Sequence, residues 1–384
     1  MPWKETCPMD EKIKFIAMVK SGVYSFASTC RQFDISRKTG YELLARYEAE
    51  GEKALAPRSR APHIHPNAID DVLASKLLQI KTTYVHFGPR KARDFLVMSG
   101  HRGALPAAST IGELYKRHGL VRPRGKRRAR SAPSSEPLRH ATAPNIVWSA
   151  DFKGHFRLKN GHWCYPLTLS DNASRYLLVC QGLAHPTEEA VWPHFEQAFR
   201  DYGLPAALRT DNGAPFASTA LGGLTRLSVW LLKLGIALER ITPGRPDQNG
   251  RHERMHRTLK DHLEPPQRTA SAQQKHLAWF QQHYNEQRPH EALGGVPPAR
   301  KYRVSTRPYP GRVPPPQYDS GMEVRRVRSN GQIKWHGKMM FVSEALIGEP
   351  IGLHQIDEAR WQVLFCKMPL GVINERINTI ERLG

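Results

Sequence analysis

The sequence predicts a chain of several domains, with a mixed α/β domain between helical N-terminal segments and a small C-terminal β domain. Three observations support this prediction. The 384 residues exceed the usual size of a single hydrophobic core. Two proline-containing segments, 122–144 and 305–317, interrupt the hydrophobic pattern and read as linkers. Between them, apolar strand-like runs alternate with amphipathic helical segments, which is typical of a sheet covered by helices.

Basic residues far outnumber acidic residues. Lysine and arginine total 57, and aspartate and glutamate total 35, which gives a formal net charge of +22. A chain most often keeps such an excess because its partner is a polyanion, so nucleic acid is the first expectation. No apolar run approaches the roughly 20 residues that span a bilayer, and we expect no membrane partner. The five cysteines lack a CxxC pair, which argues against a disulfide framework or cysteine zinc site and fits a cytoplasmic protein.

Residues 1–56 have the pattern of three short helices. Ser36 can cap the third helix and Gly51 can end it. The tight turn before the third helix is typical of a helix-turn-helix domain, which inserts the start of its last helix into the major groove of DNA. The side chains expected at the DNA are Arg37, Lys38 and Tyr41. A plain helical hairpin with a solvated basic face is the alternative for this segment.

Four further segments complete the flanks of the central domain. Residues 57–121 are predicted to be a second helical module, which either binds DNA or acts as a spacer. The basic linker 122–144 either lies along phosphates or is a solvated tether. Its expected phosphate contacts are Arg124, Lys126, Arg127 and Arg128. After the Pro-rich linker 305–317, β-branched residues and a Ser-Asn-Gly turn predict a small β-barrel over 318–384.

The central domain, 145–304, has the element order of three strands, helix, strand, helix, strand and helix. Asp151 and Asp211 fall at strand ends, and Glu253 falls in the first turns of a helix. In "RTDNGAPF", residues 209–216, the Asp-Asn-Gly run is also common turn chemistry, so Asp211 alone would be interpreted as a turn cap. The two other acids favour a shared site instead, in which Asn212 adds a hydrogen bond to phosphate.

Three clustered carboxylates raise one another's pKa, and divalent cations remove that cost. An oxygen-only cluster suits Mg²⁺, with Mn²⁺ as a substitute. Two such ions can activate a nucleophile on one side of a phosphodiester and stabilise the leaving oxygen on the other. We therefore predict that Asp151, Asp211 and Glu253 hold two ions per active site and carry the catalysis.

The helix that contains Glu253 also carries basic residues at helical spacing. His256, Arg257 and Lys260 follow Glu253 at i+3, i+4 and i+7, so one face is predicted to present the carboxylate and then cations that meet phosphate. An ordinary exposed helix with Glu–Arg pairing is the alternative if the helix is considered alone. Asp171 follows an apolar strand as well, but "SDNASR" has turn composition, and we assign this aspartate a structural role.

These residues carry a family resemblance. "WSADF", "RTDNGAPF" and "PGRPDQNGRHERMHRTLK", followed by "YNEQRPHEALGGVPP", resemble the core of DDE-type bacterial insertion-sequence transposases, which are related to retroviral integrases. The resemblance is strong over about 145–300. It implies an RNase H-like core with a mixed five-stranded sheet and helices on both faces, and it assigns the acidic triad to Asp151, Asp211 and Glu253. Lys260 matches the basic residue of the family's helix.

The resemblance also implies an activity and partners. Such enzymes bind the terminal inverted repeats of their own element, cleave DNA strands and join the 3′-OH ends to target DNA. They use Mg²⁺ and act as homo-oligomers, dimers or tetramers, on paired DNA ends, which here implies a bacterial, nucleoid-associated protein. A non-catalytic DNA-binding regulator derived from a transposase is the alternative. A nuclease that cuts RNA in hybrids is a weaker one, because such enzymes are usually compact.

Overall fold

The computed structural model describes residues 7–57, 68–121, 138–218, 220–242 and 245–382. The chain divides into two compact units, Met1–Asp70 and Asp71–Gly384. The predicted helical N-terminal region, mixed central sheet and C-terminal β module are all confirmed. The predicted phosphate contacts between residues 124 and 128 lie outside the described residues.

In its described residues, the first unit contains three α-helices: α1 (Pro8–Ser21), α2 (Phe26–Gln32) and α3 (Arg37–Glu50). Ser25 and Ser36 cap α2 and α3, each accepting a hydrogen bond from the backbone N–H three residues later. Their shared core consists of Phe15, Ile16, Cys30, Leu43 and Leu55. The short α2–α3 turn gives the geometry of a helix-turn-helix.

Gly40 lets α3 approach its neighbours closely. It is buried within α3, and a Cβ atom at this position would lie 2.7 Å from Cys30 Sγ and 3.1 Å from the rings of Phe15 and Phe26. A side chain here would push α3 away from the rest of the core, so the sequence needs glycine at this crossing.

The second unit begins with three packed helices: α4 (Asp71–Thr83), α5 (Pro89–Met98) and α6 (Ala108–Arg117). The chain after α4 contacts a later helix of the same unit, α10 (Ala270–Glu286). The Tyr84 ring stacks on His283, with 4.9 Å between ring centroids, and Tyr84 Oη donates to Gln287 Oε1 at 3.2 Å. The helices α4–α6 therefore pack onto the central domain.

The central sheet has the strand order β4-β3-β1-β5-β6. Its strands are β1 (Val147–Phe152), β3 (Trp163–Asp171), β4 (Leu177–Leu183), β5 (Ala207–Thr210) and β6 (Ala237–Arg240). β3 is antiparallel to β1 and β4, whereas β5 is parallel to β1 and β6 is parallel to β5. A two-residue strand not foreseen from the sequence, β2 (Phe156–Arg157), pairs with the start of β3. This is the mixed sheet of an RNase H-like core.

Helices cover both faces of this sheet. On one face, α7 (Glu188–Tyr202) and α8 (Arg226–Lys233) bury an aromatic and aliphatic core with β1, β3 and β5. On the other face, α9 (Gly250–Leu263) and α10 pack against β4. Alternate residues of a strand serve the two faces: Leu167 and Leu169 of β3 join the first core, whereas Thr168 and Ser170 point toward α9.

The predicted C-terminal β domain consists of a five-stranded antiparallel sheet in the order β13-β12-β11-β10-β7 and a hairpin, β8–β9. The strands are β7 (Glu323–Arg326), β8 (Gln332–Trp335), β9 (Lys338–Phe341), β10 (Pro350–Gln355), β11 (Arg360–Phe365), β12 (Met368–Asn374) and β13 (Thr379–Arg382). Both sheets contribute to one core, which also receives Val229 and Leu232 of α8.

The Pro-rich segment 305–317 lies against the central domain. Arg307 donates hydrogen bonds to the carbonyls of Pro205 at 2.7 Å and Leu234 at 2.8 Å, and Tyr309 packs on the core beneath α7 and α8. These contacts hold the start of the segment in place.

Candidate active site

The fold brings the two predicted strand-end aspartates to one edge of the sheet. Asp151 is the fifth residue of β1, and Asp211 directly follows β5. Since β1 and β5 are parallel neighbours, their carboxyl ends meet at the same edge. Glu253 lies in the first turn of α9, which packs on the face of the sheet beside this edge.

The charges of the three acids interact. The carboxylate of Asp151, whose side chain is 25% exposed, has its pKa raised to about 7. Burial is the largest cause, and repulsion by Asp211 and then by Glu253 adds to it. Asp151 is therefore a carboxylate that lacks sufficient counter-charge, in the position where a bound cation would relieve the repulsion.

The donor atoms of these three acids are hard oxygens, which suit Mg²⁺ or Mn²⁺ better than softer metals. In the part of the chain that the structure describes, no three His, Cys, Asp or Glu side chains are arranged so that they could hold a metal ion. The three acids are thus electrostatically coupled without forming a finished coordination site. Their chemistry fits divalent cations.

Hydrogen bonds made by Asp211 and Asn212 hold the loop that carries Asp211 in place. Asp211 Oδ1 accepts a hydrogen bond from the Gly213 backbone N–H at 3.2 Å, as the turn alternative predicts. Asn212 is exposed, and its side-chain amide donates to the Ile241 carbonyl at 2.6 Å. This bond joins the ends of β5 and β6 beside the acids. The predicted contact of Asn212 with phosphate remains a prediction.

Two histidines of α9 form the back of the site. His252 Nε2 and His256 Nε2 lie 2.8 and 2.7 Å from Thr168 Oγ1, and Ser170 Oγ lies 2.8 Å from His252 Nδ1. Thr168 Oγ1 also donates to the carbonyl of Asp151, its partner across the sheet, at 3.0 Å. This network anchors α9 on β3 and couples the helix of Glu253 to the strand of Asp151.

The hydrogen bonds of Thr168 determine the tautomers of both rings. Because its hydroxyl donates to the Asp151 carbonyl, both Nε2 atoms must donate to its lone pairs. Burial lowers the pKa of His252 to about 3 and that of His256 to about 2, so both rings are neutral. The 3.6 Å approach of His256 Nδ1 to Asp151 Oδ2 is therefore not an ion pair.

His256 requires a correction to the sequence interpretation. It was expected on an exposed stripe that meets DNA phosphate, but it is only 6% exposed and its ring faces β3. The reason is the rotation of α9: residues 252, 256 and 259 turn inward, while Glu253, Arg257 and Lys260 remain exposed. The contacts of Arg257 and Lys260 with DNA remain predictions.

Asp171 has the contacts of a structural residue. Its Oδ1 accepts from the Asn145 backbone N–H at 2.8 Å, and its Oδ2 accepts from the backbone N–H and hydroxyl of Ser174 at 2.7 and 2.6 Å. With both oxygens engaged and 1% exposure, Asp171 closes the β3–β4 turn.

In the first unit, the proposed DNA-reading residues lie at the start of α3. Arg37, Lys38 and Tyr41 are all exposed, and the Tyr41 ring stacks on Phe26 with 4.0 Å between centroids. Their contacts with DNA remain predictions. Within the described residues, no helix combines the length and hydrophobicity that crossing a membrane requires.

Several residues of the site region were not foreseen from the sequence. The i, i+4 spacing of His252 and His256 was the available signal for a shared helix face. Thr168 and Ser170 gave none, because an alternating strand does not reveal which polar residues are buried. Arg209, beside Asp211, pairs with Glu239 at 2.9 Å and donates to the Gln248 carbonyl at 3.2 Å.

Comparison with known families and proteins gives a consistent result. The integrase core domain family matches residues 141–246 and 234–298, and a helix-turn-helix domain family matches residues 11–63. An insertion element IS407 protein of 31.7 kDa from Burkholderia multivorans is 30% identical, over 62% of this chain and 85% of its own length. An insertion element IS476 protein of 39.2 kDa from Xanthomonas euvesicatoria is 29% identical, over 61% of this chain and 66% of its own length.

Among solved structures, the catalytic core of HTLV-2 integrase in complex with magnesium aligns with a TM-score of 0.34 and 17% identity, over 42% of this chain and 98% of that chain. The family assignment rests on the sequence matches, since the insertion-element protein from Burkholderia is matched over most of its length. The chain therefore belongs to the family of bacterial insertion-sequence transposases with a retroviral-integrase-like catalytic core.

Proposed function

We propose that this protein is a DNA transposase that binds the terminal inverted repeats of its insertion sequence, cleaves DNA strands at the element's ends and joins the 3′-OH ends to target DNA. The observation that carries the proposal is the placement of Asp151 and Asp211 at the carboxyl ends of neighbouring parallel strands, with Glu253 in the first turn of α9. Family membership supports the reaction class. The protein would act with the DNA of the bacterial cytoplasm, as a homo-oligomer on paired ends.

Asp151, Asp211 and Glu253 would hold two Mg²⁺ ions, and Mn²⁺ would substitute. When bound, the ions would supply Lewis-acid activation of the attacking oxygen and stabilise charge on the leaving oxygen. The chain's own residues have separate tasks. The neutral His252 and His256 orient α9 against β3, and Arg257 and Lys260 present positive charge to the DNA backbone beside Glu253.

The test is to replace each acid by its amide: Asp151→Asn, Asp211→Asn and Glu253→Gln. Each change removes a ligand charge without touching α3, so cleavage and joining of a duplex carrying the element's ends should fall at least ~100-fold. End binding, measured by fluorescence anisotropy, should persist. Asp319→Asn, at an exposed aspartate outside the site, is the control and should keep full activity.

Normal strand transfer by any one amide variant would remove that residue from the proposed triad. An unaltered chain that binds the ends but neither cuts nor joins them would favour the regulator instead.

A further inference from the structure

A cavity lies beside the start of α9, separate from the three acids. Its volume is about 680 Å³, and its wall includes Gly250, Arg251, Arg254 and Thr258 of α9 but not Glu253. Residues 250, 251, 254 and 258 share one face of the helix, so α9 has the cavity on one side and Glu253 on another. The wall also contains three cationic side chains from other elements: Lys91 of α5, Arg175 of the β3–β4 turn and Arg288, which follows α10.

The positive charge of this wall is largely unbalanced. Arg139 and Arg209 also line it, but both lie within ion-pair distance of Glu239. The other five cations form no ion pair with a carboxylate in the described segments; they are Lys91, Arg175, Arg251, Arg254 and Arg288. The one acid in the wall, Glu291, pairs with Arg90 outside it.

Arg288 supplies the most specific observation. Its side chain is buried, with the residue 6% exposed, and Nη2 donates to Thr258 Oγ1 at 3.3 Å. The second terminal nitrogen, Nη1, is buried and has no hydrogen-bond partner. A buried charged donor without an acceptor is costly, so an acceptor oxygen brought near it would stabilise the Arg288 guanidinium.

The pKa values of two of these cations, Lys91 and Arg175, are lowered in part by repulsion from the others. Burial and then repulsion by Arg288 and Arg254 lower the pKa of Lys91 to about 7. Burial and then repulsion by Arg251 and Arg254 lower the pKa of Arg175 to about 10. An anion in the cavity would offset this repulsion for all five cations.

We propose that the cavity binds a phosphate group through Arg288 and Arg254, with Lys91, Arg175 and Arg251 adding positive charge around it. A tetrahedral phosphate offers several acceptor oxygens to donors that converge from α5, α9 and two connecting segments, whereas a carboxylate is planar and carries one charge. The group belongs either to a DNA backbone or to a free phosphate. The DNA source rests on the proposed transposase function and would give α9 a DNA contact on each side.

Binding of inorganic phosphate to the full chain in EDTA tests the proposal first. Phosphate, compared with chloride at equal ionic strength, should raise the thermal unfolding midpoint. The phosphate affinity should fall at least tenfold in Arg254→Gln and Arg288→Lys, the second of which keeps the charge and loses the guanidinium fork. The control Arg300→Gln, at an exposed arginine outside the cavity, should retain it. Because Arg254 is exposed as well, its loss should leave folding intact.

A second arm with a 20-base-pair duplex, also in EDTA, identifies the source. If the duplex competes with phosphate and binds Arg254→Gln more weakly than Arg300→Gln, the group is a DNA phosphate. If duplex affinity is the same in both variants while phosphate binding is lost, it is a free anion.

Equal phosphate and duplex binding by Arg254→Gln, Arg288→Lys and Arg300→Gln would overturn the proposal. Binding of a glutamate-rich peptide by a chain that binds neither phosphate nor the duplex would also overturn it. Both measurements detect binding and not cleavage, so their results can be interpreted even if the chain proves catalytically inactive.

Discussion

At the scale of single residues, burial decides what the polar side chains around α9 can do. His256 and Arg257 are adjacent in sequence, yet one is a neutral group bonded to Thr168 and the other an exposed cation. The sequence predicts the acids of the candidate site because Asp151 and Asp211 fall at strand ends and Glu253 falls in the first turns of a helix. It does not identify His256 as buried, because the partner that satisfies its ring, Thr168, comes from a strand 88 residues away.

The pH dependence of stability provides a test of one such buried group. Burial, with repulsion by Arg288 and Lys91, lowers the pKa of His290 to about 3, below its ordinary value of about 6.5. Between these values the unfolded chain binds a proton that the folded chain does not, so stability is complete above pH 6.5 and falls as the pH drops toward 3. The contribution of this residue is at most about 1.4 kcal/mol per pH unit.

Urea unfolding of the metal-free chain at pH 7 and pH 5 measures this effect. His290→Gln should lose less stability between the two values than the unaltered chain, whereas His185→Gln, at an exposed histidine, should match the unaltered chain. The same loss in all three proteins would show that His290 is not held neutral.

At the scale of elements, α9 connects the separate parts of the second unit. Its inward residues bond β3, its exposed face carries Glu253, Arg257 and Lys260, and its third side lines the basic cavity. The sequence pattern predicts the helix and its charges. It does not predict the cavity, because the lining residues come from α5, the β3–β4 turn, α9 and the chain after α10, and only tertiary packing brings these together.

For the first unit, we predict that a methyl group added at Gly40, where α3 crosses α2, destabilises the packing of α3. Gly40→Ala places a methyl group 2.7 Å from Cys30 Sγ, so α3 must shift, at a cost of about 1–3 kcal/mol. Amide hydrogen exchange in α3 should accelerate accordingly. The control is Gly112→Ala in α6, where the added carbon would lie at an ordinary 3.5 Å from Pro89 and helix propensity should be gained. Unchanged exchange in α3 of Gly40→Ala would contradict the close packing of the two helices.

At the scale of the whole molecule, the net charge of +22 governs how DNA would be bound. A chain that contacts six or more phosphates should lose at least ~10³-fold in affinity for a duplex between 50 and 200 mM salt, because each contact displaces counterions. Anisotropy titrations across this range measure the slope of log affinity against log salt. Arg257→Gln should reduce the slope by about one contact, and an affinity that does not change with salt would be inconsistent with electrostatic binding.

The order of strands and helices could be predicted from the sequence more fully than the geometry of the candidate site. Strand periodicity and turn residues predict the central sheet, because each strand's pattern is local to a few residues. The two-residue strand β2 is too short to leave such a pattern. The position of Glu253 relative to Asp151 and Asp211 depends on how α9 packs on β3, and that packing depends on the buried hydrogen bonds of Thr168 with His252 and His256.

The central claim is that Asp151, Asp211 and Glu253 share bound metal ions, and an anomalous difference map from crystals grown with Mn²⁺ and DNA tests it most directly. The proposal predicts manganese peaks contacted by carboxylate oxygens of all three residues. A manganese-loaded structure in which any one of the three carboxylates remains too distant to share an ion with the other two would contradict it.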